Sequence, residues 1–245
     1  MEIEYSEIDS EETPLGVLTL GHYRASTGEE GYEILIDGAF LMASHGSHAE
    51  RAMAGLAHAR LASRARALTV LVGGLGAGHT LRAALDLPEV ERVVVAEIGA
   101  KVVEWNRRYF ADANTHAVDD LRVEIVIDDL SRVIDDHTRS FDLMLLDVDN
   151  GPGWLAAPGN AGLYTADGVL RCRRSLQPGG VLAVWCPQPN PGFEATLRDV
   201  FPNVDVEATS IPDEPSSTIY LAHAGRNRRG AETTLSRTFT IPATP

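Results

Sequence analysis

The chain has 245 residues, of which 44% are hydrophobic, and its formal net charge is −14. This length fits one α/β domain with a small appendage, and no segment approaches the roughly 18 apolar residues of a membrane span. The acidic balance argues against nucleic-acid binding, which needs patches of lysine and arginine. The acidic start lacks the features of a signal peptide, and Cys172 and Cys186 form neither a disulfide framework nor a zinc motif. We therefore expect a cytoplasmic protein that does not act on nucleic acid or membranes.

An antiparallel β unit is predicted at the N-terminus. Asp37-Gly38 is typical of a type I′ hairpin turn, and a helix is predicted over 49–62, with Ser47 as its candidate N-cap. Such a unit is too small to be stable alone, so residues 1–62 are expected to pack on a neighbouring domain or subunit. Its strand-like segments are 15–20, 32–36 and 39–42.

The next segment combines a buried strand, a glycine-rich turn and a helix. The apolar residues 68–72 predict a strand buried on both faces, and four glycines follow within six positions. Gly74, Gly76 and Gly78 leave room for a nucleoside at the start of the helix. His79 stands where the dinucleotide fingerprint requires its third glycine. The turn therefore indicates a nucleoside site without the pyrophosphate-binding glycine.

A regular alternation of strands and helices follows this turn. A second buried strand over 92–97 ends in Glu97, about twenty residues after the turn, where nucleotide-binding folds grip a ribose. The alternation predicts an α/β fold with a parallel sheet and helices on both faces, in a nucleoside-binding domain over 63–224. A polar tail is predicted over 225–245. Further strands are predicted over 121–127, 141–146, 181–185, 204–209 and 217–222, and helices over 79–86, 100–110, 131–137, 167–176 and 192–201.

Acidic residues recur at the predicted carboxyl ends of the strands, where such sheets bind ligands. Glu97 suits ribose hydroxyls, and Asp128 or Asp129 suits an exocyclic amine. Asp147 could orient an attacking amine or accept its proton. Two positions have a structural alternative: Asp129 could instead cap a helix, and Asp149, which follows the same predicted strand as Asp147, could be a turn residue.

Other candidates carry less information. Trp154 could stack on a ligand or anchor its loop. His45, His48 and His58 are metal-ligand residue types, but their spacing defines no site, and no metal is expected. Cys186 ends a buried strand and is expected to be a core residue.

Residues 68–186 resemble the class I S-adenosylmethionine-dependent methyltransferase fold and, more narrowly, the spermidine synthase (polyamine aminopropyltransferase) family. The resemblance implies a Rossmann-like fold with a mostly parallel seven-strand-type sheet, preceded by a small N-terminal β-hairpin domain. It is carried by residues 36–38 (IDG), 72–82 (VGGLGAGHTLR), 95–98 (VAEI), 102–110 (VVEWNRRYF), 126–129 (VIDD), 141–147 (FDLMLLD), 163–165 (LYT) and 176–182 (LQPGGVL).

The resemblance also implies an activity and site residues. The donor would be S-adenosylmethionine or its decarboxylated form, and an alkyl (aminopropyl) group would pass to a small-molecule amine without a metal. Glu97 would hold the ribose, with Ile98 beside it, and Asp129 would hold the adenine amine. Asp147 would deprotonate or position the attacking amine, and Tyr164 would line the substrate side. Asp149, Asn150 and Trp154 are assigned to the same substrate side.

Several positions depart from the family pattern. Residues 73–78 contain no aspartate to bind the donor's aminopropyl amine, and Asn150 stands in place of a second aspartate. Leu41 and Met53 fall near positions where the family has glutamine and tyrosine. Two alternatives therefore stay open: a methyltransferase that uses intact S-adenosylmethionine, and a non-catalytic nucleoside-binding homologue. The hairpin unit and the resemblance favour a homodimer.

Overall fold

The structure is a computed structural model that describes residues 3–13, 16–45, 48–62, 67–148, 158–210, 217–223 and 237–240. Its first part is a small antiparallel sheet whose four strands pair in chain order. The strands are β1 (Ile3–Thr13), β2 (Gly16–Ala25), β3 (Glu30–Ile36) and β4 (Ala39–Ala43).

The hairpin between β3 and β4 has the predicted turn. Asp37 and Gly38 both have positive φ angles, 48° and 78°, as a type I′ turn requires. Strand β1 was not predicted, because its sequence is largely acidic and has no regular apolar alternation. It is held by pairing with β2, and its Asp9 accepts a hydrogen bond from Trp105 Nε1 at 3.0 Å and lies 3.1 Å from Lys101 Nζ.

The second part is a larger, mostly parallel sheet. Its strands are β5 (Leu68–Gly73), β6 (Val90–Glu97), β7 (Val123–Ile127), β8 (Phe141–Leu146), β9 (Leu176–Cys186), β10 (Asn203–Ser210), β11 (Ser217–His223) and β12 (Arg237–Thr240). Strands β5 to β9 run parallel to one another, and β11 is antiparallel to both β9 and β10. The order β12-β10-β11-β9-β8-β5-β6-β7 places β5 in the interior of the sheet, between β8 and β6, which confirms the Rossmann-like α/β class.

Six α-helices are described, and side chains cap three of them at their first turn. Asp129, Thr165 and Asn190 accept hydrogen bonds from backbone N–H groups of the helices they precede. None of the described helices has the length and apolar character to cross a membrane. The helices are α1 (His48–Ala59), α2 (His79–Leu85), α3 (Ala100–Arg108), α4 (Leu130–Asp135), α5 (Ala166–Ser175) and α6 (Pro191–Val200).

The structure departs from the sequence prediction at two places in the large sheet. Strand β9 begins at Leu176, five residues before the predicted start, and its pairing with β8 shifts register between Phe141 and Leu143. In the predicted tail, Arg237–Thr240 form β12 beside β10, a pairing that local sequence does not signal. The rest of the tail and the proposed cap Ser47 lie outside the described residues.

The two sheets share a hydrophobic core. Leu20 and Ile34 of the small sheet belong to one buried cluster with Met53 of α1 and with Val70 and Leu143 of the large sheet. A second cluster, which includes residues of α4, α5 and α6, covers the opposite face of the large sheet. The small sheet is therefore fixed on the domain and forms one wall of the cavity described next.

Candidate active site

A cavity of about 820 Å³ lies between the small sheet and the carboxyl edge of the large sheet. Its volume is in the upper part of the range of roughly 300–1,000 Å³ for small-molecule sites. The carboxyl ends of β5, β6, β7 and β8 meet there, as expected for an open α/β sheet. The predicted donor and catalytic residues that line it are Gly74, Gly76, Glu97, Ile98, Asp128, Asp129 and Asp147.

The glycine turn has a backbone that other residues adopt only at a cost. Gly74, Gly76 and Gly78 have φ angles of 81°, 55° and 83°. A Cβ atom on Gly74 would lie 2.6 Å from the carbonyl oxygen of Asp147, and one on Gly78 would lie 2.6 Å from Asn114 Nδ2. The turn therefore needs glycine both for its φ angles and for its close contacts. Gly78, which directly precedes α2, does not line the cavity.

Two buried asparagines hold this turn and were missed by the sequence analysis. Asn106 Nδ2 donates to the carbonyl of Gly76 at 2.7 Å, and Asn114 Nδ2 donates to the carbonyl of Ala77 at 3.1 Å. The two asparagine side chains are also bonded to each other, at 2.9 Å. The sequence does indicate this network, because Asn106 is an amide on the apolar face of α3, beside Val102.

Glu97 joins the turn to the end of β6. Its side chain is 8% exposed, and its two oxygens accept hydrogen bonds from the N–H groups of Leu75, at 2.9 Å, and Gly99, at 2.8 Å. Burial raises the pKa of this carboxyl, and the backbone hydrogen bonds oppose that rise. A carboxylate accepts about four hydrogen bonds, so Glu97 keeps capacity for a ribose hydroxyl besides its backbone partners. Ile98, 50% exposed, adds apolar surface beside them.

Asp128 and Asp129 combine structural contacts with a place in the cavity wall. Asp129 Oδ1 accepts from the N–H of Ser131 at 2.7 Å, so the helix-cap interpretation is correct. Asp128 Oδ1 accepts from the N–H of Asp129 at 2.7 Å and lies 3.3 Å from Arg132 Nη1. The cap and the predicted ligand role are compatible, because a carboxylate has further lone pairs that can face the cavity.

Asp147 follows the last residue of β8 at the centre of the cavity edge. Thr80 Oγ1 donates to Asp147 Oδ2 at 3.0 Å, a partner that the sequence analysis missed. Burial raises the pKa of Asp147 to about 6, and the Thr80 hydrogen bond opposes the rise. The carboxyl group can therefore exchange a proton near neutral pH, as a general base must.

His79 follows the glycine turn directly and lines the cavity, although it is only 6% exposed. Burial, together with the nearby positive charge of Arg51, lowers the pKa of this histidine to about 4. The ring is therefore neutral at physiological pH and adds no positive charge to the cavity.

The wall opposite the glycine turn belongs to the small sheet and to α1, and it adds carboxylates that the sequence analysis missed. No lysine or arginine lines the cavity in the part of the chain that the structure describes. Its potential is therefore negative, which favours cationic ligands. Seven acidic residues line it: Glu29, Glu33, Glu50, Glu97, Asp128, Asp129 and Asp147.

Tyr164 is not brought to the cavity. Its ring packs edge-on against Phe193, with ring centroids 5.3 Å apart, and it does not line the cavity. Tyr164 also takes part in a further interaction, and its predicted place beside the substrate stays a prediction. Asp149, Asn150 and Trp154 lie outside the described residues, so their assignment to the substrate side stays a prediction.

Two of the three candidate metal-ligand histidines, His45 and His58, have separate environments. His45 contacts the hydroxyl of Tyr23 and lies 2.7 Å from Glu29, whereas His58 lies 3.2 Å from Glu89. Among the described residues, no group of three or more histidine, cysteine, aspartate or glutamate side chains could hold a metal ion.

Comparison with known proteins finds a matching family model and curated relatives of this chain. A family model for the spermine/spermidine synthase domain matches residues 50–234. The polyamine aminopropyltransferase of Thermoanaerobacter sp. (strain X514) is 28% identical over 170 residues, which cover 66% of this chain and 58% of that protein. The chain thus spans less than two thirds of the length of this curated relative.

Solved structures support the fold. A spermidine synthase in complex with the transition-state analogue AdoDATO has a TM-score of 0.71 at 20% identity, covering 95% of this chain and 82% of that one. Human methyltransferase-like protein 13 in complex with SAH has a TM-score of 0.57 at 22% identity, covering 76% of this chain and 85% of that one. The fold is therefore shared by spermidine synthases and methyltransferases.

Proposed function

The chain belongs to the spermine/spermidine synthase family, and from this we propose that it transfers an aminopropyl group from decarboxylated S-adenosylmethionine to a small-molecule amine. The observation that carries the proposal is the cavity at the carboxyl edge of the large sheet, which joins a nucleoside-type glycine turn to a lining that has seven carboxylates and, among the described residues, no lysine or arginine. Both substrates of this reaction are cations, and the negative potential of the cavity attracts both.

The donor would bind at the glycine turn. Glu97 has lone pairs left for the ribose hydroxyls, and Asp129, beside the cavity, can accept from the adenine amine. Ile98 offers an apolar surface for the base. The positions of these side chains support the assigned roles, and a donor bound in this way would direct its sulfonium toward Asp147.

The acceptor amine would react beside Asp147. The lone pair of its nitrogen attacks the methylene carbon bonded to the sulfonium, so that a C–N bond forms as the C–S bond breaks. The sulfur takes the electron pair of the broken bond and leaves as the neutral thioether of methylthioadenosine. Asp147 accepts the proton that the amine loses and passes it to water. Thr80 fixes the carboxylate through Oδ2, leaving Oδ1 for the amine.

A second candidate is methyl transfer from intact S-adenosylmethionine. It is favoured by the absence of an acid from residues 73–78, where the family resemblance implies a partner for the donor's aminopropyl amine. Against it, the carboxylate of intact S-adenosylmethionine would meet no lysine or arginine among the described residues of the cavity lining.

Calorimetric titration with decarboxylated S-adenosylmethionine, S-adenosylmethionine and methylthioadenosine separates the candidates. The proposal predicts that the decarboxylated donor and methylthioadenosine bind and that the carboxylated donor binds more weakly. Preference for the carboxylated donor would favour methyl transfer. Absence of binding by all three compounds would refute both activities, whereas binding without turnover would favour the non-catalytic nucleoside-binding homologue.

We also propose that the protein works in the cytoplasm as a homodimer, with no nucleic-acid or membrane partner. The net charge of −14 supports the absence of a nucleic-acid partner. Equilibrium sedimentation of the purified chain tests the dimer, and a mass of one chain at micromolar concentration would contradict it.

A further inference from the structure

Trp185 stands beside Asp147 at the carboxyl edge of the large sheet. Strands β8 and β9 are parallel, and Leu145 lies opposite Ala183, so Asp147 and Trp185 are neighbours in the continued register. Leu145 and Ala183 belong to the buried cluster that the large sheet shares with the small sheet, and alternation places Asp147 and Trp185 on the same face. Both Asp147 and Trp185 line the cavity.

The order of the strands separates Trp185 from the glycine turn. Strand β8 lies between β5, which leads into the glycine turn, and β9, which carries Trp185 near its end. A donor bound at the glycine turn would therefore reach Asp147 from the β5 side. A displacement at carbon brings the nucleophile in opposite the leaving sulfur, so the acceptor amine would approach from the β9 side. The rest of the acceptor would then extend over Trp185.

The surface that Trp185 presents to the cavity is hydrocarbon. The residue is half-buried, and its Nε1 atom is buried without a hydrogen-bond partner among the described residues, so the accessible atoms of its side chain are carbons. Pro187 follows it in the cavity lining. Ser217 also lines the cavity, but its hydroxyl is hydrogen-bonded to Thr209 Oγ1 at 2.5 Å. This part of the cavity thus offers mainly apolar surface to a ligand.

The other described carboxylates of the cavity lie elsewhere or have partners of their own. Three stand at the ends of β6 and β7, beyond β5 and the glycine turn. Glu33 is on the face of the small sheet opposite to the core residue Ile34. Glu29 lies 2.7 Å from His45 Nε2, and Glu50 also takes part in an interaction. Among the described residues, the β9 side of the cavity therefore has no free carboxylate for a second ammonium group.

These surroundings favour a hydrocarbon group over a second charge. An ammonium group that leaves water without a carboxylate partner is strongly destabilised. Each methylene group that is buried on apolar surface instead tightens binding by up to about fourfold. The face of a tryptophan also attracts cations, so a diamine is the alternative that an experiment has to exclude.

We propose that Trp185 is a specificity-determining residue for the acceptor, and that the preferred acceptor is a primary amine whose far end is an uncharged hydrocarbon group packed on the indole ring. The inference rests on the proposed aminopropyl transfer and names its substrate class, amines with a single amino group and an alkyl or arylalkyl chain. A linear diamine would also react, but it would bind more weakly.

The test measures amine binding by calorimetry to the full chain saturated with methylthioadenosine. Pentylamine and 1,4-diaminobutane have the same number of non-hydrogen atoms, and they differ in whether a methyl or an ammonium group ends the chain. We expect the wild type to bind pentylamine at least about tenfold more tightly than 1,4-diaminobutane. In the series from propylamine to hexylamine, each added methylene should tighten binding about two- to fourfold.

Two substitutions of Trp185 test its part in this preference. Trp185→Ala should lower the gain per methylene to less than about 1.5-fold while methylthioadenosine binding stays unchanged, whereas Trp185→Phe should keep most of the gain because an aromatic surface remains. Tyr5→Leu is the aromatic control, since Tyr5 lies on β1 and is 45% exposed. It should change neither the preference for pentylamine nor the dependence on chain length.

Equal or tighter binding of 1,4-diaminobutane by the wild type would overturn the inference and leave the proposed aminopropyl transfer standing. This comparison does not depend on whether any variant folds. Undiminished dependence on chain length in Trp185→Ala would also overturn the inference. A wild type that fails to bind methylthioadenosine would instead refute the proposed function, and the inference with it.

Discussion

Replacing Asp147 by asparagine should abolish turnover and at the same time stabilise the folded protein. The amide keeps the shape of the carboxylate and can still accept from Thr80 Oγ1, which lies 3.0 Å from Asp147 Oδ2. It can no longer take a proton from the acceptor amine. We expect turnover to fall about 10²- to 10⁴-fold, the usual contribution of a positioned general base.

The stabilisation follows from the raised pKa of Asp147. The pKa is about 6 in the folded protein, against an ordinary value of 3.8, because burial disfavours the charged form. The folded state therefore holds this proton more tightly than the unfolded chain, and its stability falls as the pH rises from about 4 to about 6. A rise in the pKa from 3.8 to about 6 corresponds to a loss of about 3 kcal/mol in the free energy of unfolding. Asp147 is partly exposed, so we expect a loss of about 1–3 kcal/mol. Asp147→Asn lacks this penalty at every pH.

Urea unfolding, followed by circular dichroism at pH 4 and pH 7.5, measures this effect. At pH 7.5 the variant should be more stable than the wild type by about 1–3 kcal/mol, and its melting temperature should be several degrees higher. At pH 4 the difference should shrink toward zero, because Asp147 is then largely protonated in the folded wild type. Equal stability at pH 7.5 would refute the assigned burial penalty, and full turnover by the variant would refute Asp147 as the base. In the wild type, kcat/KM should fall as the pH drops below about 6.

Three further substitutions test the donor half of the cavity. Gly74→Ala should destabilise the fold by about 2 kcal/mol or more in urea unfolding, because φ is 81° and a Cβ would lie 2.6 Å from the carbonyl oxygen of Asp147. A smaller loss would contradict the turn geometry. Asn114→Ala should lower the free energy of unfolding by about 1–3 kcal/mol in the same assay and weaken methylthioadenosine binding, because it leaves the buried carbonyl of Ala77 without its donor. Unchanged affinity for methylthioadenosine would show that the asparagine network does not position the turn. Glu97→Gln turns an amide NH₂ toward a backbone N–H, so two donors face each other. Calorimetry should therefore show at least tenfold weaker methylthioadenosine binding. Retained affinity would exclude Glu97 from the donor site.

Much of the fold was predictable because its signals are local. The buried strand before Gly74 and the type I′ turn at Asp37-Gly38 each have a signature within a few residues. The convergence of Glu97 and Asp147 at one edge also followed from sequence, since the carboxyl ends of parallel strands meet at that edge. These features require no knowledge of which distant segments pack together.

The missed features depend on tertiary contacts. Strand β1 exists through pairing and through Asp9, which contacts Trp105 and Lys101 some ninety residues away. The side of the small sheet that faces the cavity depends on how that sheet packs, so Glu33 could not be assigned to the site from alternation alone. The contact between the rings of Tyr164 and Phe193 likewise joins residues that are distant in the sequence.

Product analysis by mass spectrometry tests the proposed activity most directly. The full chain is incubated with decarboxylated S-adenosylmethionine and 1,4-diaminobutane, with the Asp147→Asn variant as the control. Aminopropyl transfer predicts equal amounts of methylthioadenosine and N-aminopropylated diamine from the wild type and almost none from the variant. Methylated amine formed only from intact S-adenosylmethionine, or donor binding with no transfer to any amine, would contradict it.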